Sequence, residues 1–79
     1  MEPKLTLQYD READILYINK VPPYPEQDSE ELGDDVVARH NPTPRAVESL
    51  EIMFFSTRLL RSNLLELPVS AHLRLAAQG

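Results

Sequence analysis

Cysteine is absent from the 79 residues, so no disulfide staples this chain and no thiolate can hold a metal. Histidine is scarce: His40 and His72 alone are too few for an imidazole-based structural metal site without carboxylate help. Lysine and arginine never form a run, and Arg58 with Arg61 is the nearest approach to one. At a net charge of −5 the chain lacks the positive surface needed to grip phosphates, so no nucleic-acid partner is expected. No stretch approaches the ~20 apolar residues of a membrane span. The opening Met1-Glu2-Pro3-Lys4 holds no apolar signal core. A cytoplasmic protein with no membrane partner is expected, and the lack of cysteine agrees with a reducing compartment.

A single domain of this length buries only about 60–65% of its unfolded surface, which leaves an isolated monomer marginal. With disulfides excluded and no metal site in view, association with another chain is the expected remedy, and a homodimer its simplest form.

The organising stretch is Tyr9-Asp10-Arg11-Glu12-Ala13-Asp14-Ile15-Leu16-Tyr17-Ile18. Before it, Leu5, Leu7 and Tyr9 alternate with Lys4, Thr6 and Gln8, the period of a half-buried strand. Asp10 supplies a carboxylate that accepts bonds from the amides ahead of it, and Asp10–Ala13 fits a hairpin loop on a type I turn. The second strand, from about Asp14 to Lys20, is apolar on both faces, which calls for cover on both. Asp14 is expected to pair with Arg11 or with a distant arginine such as Arg58.

Positions 21–35 read as a long acidic, proline-rich loop. Pro22, Pro23 and Pro25 cannot donate to a sheet, and Glu26, Asp28, Glu30, Glu31, Asp34 and Asp35 follow. Tyr24 and Leu32 are its candidate anchors. A third strand is expected at Val36–His40, a turn through Pro42 and Pro44, and a fourth strand at Ala46–Met53. Glu48 shares the Leu50 face of that strand and is placed near its edge. Ser56 is a candidate N-cap for a helix over Thr57–Ser62, with Asn63 as a stop and Leu59 and Leu60 facing the sheet. In the tail, Leu65, Leu67, Val69, Ala71, Leu73 and Leu75 alternate with polar or small residues. A strand is expected at Leu64–Leu67, and positions 70–77 are open between strand and helix.

The residues at 9–18, together with Val47-Glu48-Ser49-Leu50-Glu51-Ile52-Met53-Phe54-Phe55-Ser56-Thr57-Arg58-Leu59, carry a resemblance. A Tyr-Asp turn, an Ala-Asp pair, an apolar-Leu-Tyr-apolar strand, a strand ending in isoleucine and a Ser-x-Arg-apolar exit resemble the small bacterial domains of unknown function catalogued as DUF2283. The family-like core runs over 4–60, with the acidic loop at 21–35 inside it and a C-terminal extension at 64–79. The sequence departs from the pattern at two usual glycines: the turn before strand four is Asn41-Pro42-Thr43-Pro44-Arg45, and Ser49 stands within the strand. The resemblance implies a small antiparallel sheet with a short helix and no established catalytic activity. Some members look like the antitoxin half of a two-gene pair, beside a small ribonuclease-like protein.

The chemistry-bearing residues are weak candidates for a site. Asp10, Glu12 and Asp14 have the opening spacing of a calcium loop, but Ile15 and Val21 stand where that loop needs glycine and a bidentate glutamate. His40 or His72 would need a nucleophile such as Ser56 or Thr57 and an orienting carboxylate, and no spacing requests that arrangement. Arg58 and Arg61 suit a salt bridge or a helix C-terminus better than a phosphate. No catalytic, cofactor-binding or metal residue is therefore assigned. Asp10 and Asp14 are read as turn residues. Of Phe54 and Phe55, one ring is expected to fill the core, and the other either to be buried with it at the strand-to-helix corner or to reach an interface. The acids Glu30, Glu31, Asp34 and Asp35 are separate interface candidates.

The expected fold is a small α+β domain: an antiparallel meander of four to five strands with one short helix after strand four. The expected role is a non-catalytic protein-interaction module, antitoxin-like, with a small basic cognate protein. Two readings stand beside it: a homo-oligomeric regulatory protein without a ligand, and a small enzyme or binder that draws Asp10, Asp14 and His40 into one pocket.

Overall fold

The computed structural model describes residues 4–76. Five strands form one antiparallel sheet: β1 (Thr6–Asp10), β2 (Ile15–Asn19), β3 (Asp28–Gly33), β4 (Val36–His40) and β5 (Val47–Met53). One helix, α1 (Phe55–Arg61), follows β5. The strand order is β1-β2-β5-β4-β3. The sheet is thus not the simple meander expected. It is two hairpins, β1–β2 and β3–β4, with β5 inserted between them, and the helix comes after the fifth strand rather than the fourth.

Cross-strand partners share a face of a sheet. Leu16 and Val36 both stand opposite Ile52, while Ile18 and Ala38 stand opposite Leu50. These residues make the core face. Val36, Ala38, Leu50 and Ile52 are its buried apolar members, and Ile18, Leu32 and Leu67 pack against that cluster. Burying an aliphatic side chain is worth roughly 1.5–3 kcal/mol, so a core this small leaves a thin margin. β5 is buried through its middle because it is the central strand, flanked by β2 and β4.

The acidic segment holds a strand where a loop was expected. The prolines confine the irregular chain to its first part, and β3 pairs with β4 from Asp28 to Gly33. Asp34 and Asp35 form the two-residue connection, with φ of 52° and 61°. Positive φ at both central positions is the type I′ pattern that matches strand twist, and aspartate tolerates it. As an edge strand, β3 sends its carboxylates to solvent and places only Leu32 against the core.

Three further expectations are corrected. Ser56 is not the N-cap; α1 starts from Phe54, whose φ is 54° and which makes no side-chain cap bond. Leu59 and Leu60 do not face the sheet, being 54% and 88% exposed, while Arg58 is buried. The phase of the helix is set at its start, where Phe55 N–H bonds to the Asp14 carbonyl at 3.1 Å. The tail forms no strand at Leu64–Leu67, and residues 70–76 are neither strand nor helix; position 77 lies outside the described residues. Leu65 and Leu67 are half-buried, and Leu67 packs against the core cluster without the segment joining a sheet edge.

Candidate interaction surfaces

The β1–β2 turn is built by two aspartates. The Asp10 carboxylate accepts from Glu12 N–H at 3.0 Å and Ala13 N–H at 3.2 Å. Asp14 adopts φ 57° and reaches across to the helix: its carboxylate accepts from Ser56 N–H at 3.0 Å, Ser56 Oγ at 2.8 Å and the Tyr9 hydroxyl. The Tyr9 bond, then the Ser56 amide, hold the Asp14 carboxyl below its ordinary range, and the same carboxylate pushes the Tyr9 hydroxyl up. Neither Arg11 nor Arg58 is the partner of Asp14, contrary to expectation. The Tyr9 ring meets Phe55 at a centroid distance of 5.8 Å, tilted by 60°. Phe55 is half-buried there, whereas Phe54 is 56% exposed.

A second junction fixes the proline-rich connection. Glu48 accepts from the Tyr24 hydroxyl at 2.7 Å and from Gln27 Nε2 at 3.0 Å. The Tyr24 bond lowers the Glu48 carboxyl, and Tyr24 itself is raised to about 12. The pairing of β4 with β5 shifts by one residue at this point, and the Glu48 carbonyl takes Lys20 N–H and Val21 N–H at 2.8 and 3.1 Å. Asp10 as the turn residue and Tyr24 as an anchor were read from the sequence, but the contacts of Asp14 with Ser56 and of Tyr24 with Glu48 were not. Tyr9, Asp14 and Ser56 all lie in the motif pieces quoted above, which was the one signal available. Tyr24 to Glu48 spans 24 positions with no local signature.

The pocket that would unite Asp10, Asp14 and His40 does not form. Asp14 sits at the end of the sheet where β2 begins, with Val36 and Ile52, while His40 lies at the far end of β4. His40 is buried, with Nε2 3.6 Å from Glu30 and 3.4 Å from Arg45. On the face opposite the core, Arg39 pairs with Glu51 and Ser49 with Asn19. Among the described residues, no three histidine or carboxylate groups converge as metal ligands, and no helix is long and apolar enough to cross a membrane.

What the molecule presents outward is two sheet edges and a helix. On the β3 edge stand Asp28, Glu30 and Glu31, with Asp34 and Asp35 at its turn, all exposed. α1 is tied to that turn by Arg58 Nη1 to Asp34 Oδ2 at 3.3 Å and exposes Leu59 and Leu60. At the other edge, β1 exposes Leu5, Leu7 and Tyr9.

These features define a small α+β domain made of one antiparallel sheet and a single short helix. The family model described as a protein of unknown function (DUF2283) matches residues 7–56, and the chain belongs to that family. The match begins within β1 and ends at Ser56, so it encloses the Tyr9–Asp14–Ser56 junction and leaves most of α1 and the tail outside. No curated protein and no solved structure matches the chain.

Proposed function

We propose that this chain is a non-catalytic protein-interaction module that binds a small basic protein, as the antitoxin-like half of such a pair would. The observation that supports this reading is the joining of an acidic sheet edge to an apolar helix face. Asp34 and Asp35 border α1, where Phe54, Leu59 and Leu60 are exposed. An apolar centre with a charged rim is the usual anatomy of a protein interface, and a negative rim attracts a positive partner. Among the described residues, more large apolar side chains are exposed, from Leu5 to Leu75, than are buried in the core. Exposed apolar side chains gathered beside a charged rim favour association.

The test is affinity capture from the cells that make the protein, at low and moderate salt, with the wild type and two variants. A stoichiometric small basic protein should be retained by the wild type and released as salt rises. It should be lost both from Glu30→Lys/Glu31→Lys/Asp35→Lys and from Leu60→Lys. Recovery of the chain alone, or capture indifferent to both variants, would contradict the reading.

A further inference from the structure

We infer that β1 is the self-association edge of this protein: two copies pair their β1 strands antiparallel about a twofold axis at Leu7, merging their sheets into one. This does not rest on the basic-partner reading, which uses the opposite edge and the helix.

The two edges of the sheet differ in kind. An open edge presents unpaired N–H and C=O groups, and proteins that stay single blunt it with charge, bulges or cover. β3 is blunted: it carries Asp28, Glu30 and Glu31, and its ladder is interrupted between Glu31 and Gly33. Pairing β3 with itself would bring carboxylates against carboxylates, which is unfavourable. β1 has no bulge, and its one charge is Asp10 at its end. Among the described residues no backbone hydrogen bond reaches its outer side. Leu5, just before the strand, and Leu7 and Tyr9 within it alternate in sequence and are 51%, 64% and 40% exposed. Leu7 and Tyr9 stand opposite Ile18 and Leu16, so they lie on the core face.

The strand together with the two residues before it, Lys4 and Leu5, is complementary to its own reverse. A register centred on Leu7 sets Lys4 opposite Asp10, Leu5 opposite Tyr9, Thr6 opposite Gln8 and Leu7 opposite itself. Every apolar residue meets an apolar residue on the core face, and the only two charges in the segment meet as opposites. A twofold axis through the sheet keeps core face with core face, so the apolar surface becomes continuous across the pair. Leu5 then packs beside Tyr9 of the partner subunit, at the ring already supported by Phe55. The sequence pattern alone pointed to the tail as the pairing edge. The tail is not a strand, and the edge that is open belongs to β1.

The experiment exploits the missing cysteines. Leu7→Cys places a single thiol on the proposed axis, and Leu60→Cys places one on the exposed side of α1. Under mild oxidation, Leu7→Cys should cross-link to a disulfide dimer far faster than Leu60→Cys, because facing strand positions bring their Cβ atoms within disulfide reach. In sedimentation equilibrium the wild type should be a dimer. Leu7→Lys sets like charges face to face at an exposed position and should weaken it by about tenfold or more. Its circular dichroism should match the wild type. A monomeric wild type, a Leu7→Lys dimer of unchanged affinity, or equal cross-linking of the two cysteine variants would each overturn the inference.

Discussion

Replacing Arg58 with methionine should stabilise the protein. Arg58 is 7% exposed, and its Nε and Nη2 have no hydrogen-bond partner among the described residues. Its ion pair among the described residues runs from Nη1 to an Asp34 side chain that is 80% exposed, at 3.3 Å. A pair with so solvated a partner is worth about 0–1 kcal/mol, and a cation late in a short helix adds about 0.3–1 kcal/mol. Against this, each buried donor left unmade costs about 1–3 kcal/mol. Methionine keeps the unbranched stem and the helix propensity and removes the orphaned donors. The balance favours Arg58→Met by about 1–2 kcal/mol, in line with other replacements of buried ions by apolar side chains. For a domain of this size that is a rise in Tm of about 4–8 °C per kcal/mol. The assay is urea and thermal unfolding followed by circular dichroism, at matched protein concentration so that association contributes equally. Leu60→Lys is the control: at 88% exposure it should leave stability within about 0.5 kcal/mol. A loss of about 1 kcal/mol or more in Arg58→Met, or a large loss in Leu60→Lys, would refute the placement of the helix faces.

The central strand gives the opposite sign. Ile52 is fully buried, and Ile52→Ala should cost about 2–5 kcal/mol in urea unfolding, a large part of the roughly 4–12 kcal/mol available to 79 residues. Asp14 is held below the ordinary carboxylate range by Tyr9 and Ser56, so its contribution is present above the unfolded carboxylate pKa and is lost as pH falls through the folded value. Asp14→Asn should therefore be less stable than the wild type near neutral pH and show a flatter acid limb when the urea midpoint is followed downward from pH 6. Tyr24, raised to about 12, contributes below the ordinary tyrosine pKa near 10 and loses that contribution as pH climbs through the folded value. Tyr24→Phe should remove this alkaline loss in the same titration.

Four of the five strands were legible, β1 and β5 from period-2 alternation and β2 and β4 as short apolar runs between turn signals. β3 was not, since Asp28-Ser29-Glu30-Glu31 has no apolar alternation: an edge strand held by its ladder to β4 needs only Leu32 inside. The insertion of β5 beside β2 was also hidden, because pairing between distant strands leaves no local mark. The helix was placed within two residues but turned wrongly. Its phase comes from Asp14, forty-two positions away from the Ser56 amide it binds. That contact draws Arg58 inward in place of Leu59 and Leu60. In the tail, alternation argued a strand, but a strand needs an edge to pair with; Leu67 packs against the core while Val69, Leu73 and Leu75 of the same series are exposed. The surfaces now assigned to partners contain residues noted from charge and aromaticity, Glu30, Glu31, Asp34, Asp35 and Phe54. The open edge at β1 became visible only once the strand order was known.

We propose different partners for the two edges of this sheet, a second copy at β1 and a basic protein at β3. Amide hydrogen exchange of the purified chain at low and high concentration tests most directly that β1, and not β3, is the self-association edge. Protection of the outward amides between Leu5 and Asp10 should rise with concentration, while those between Asp28 and Leu32 exchange at the same rate throughout. Rapid exchange along β1 at every concentration, or protection that appears on β3 instead, would contradict it.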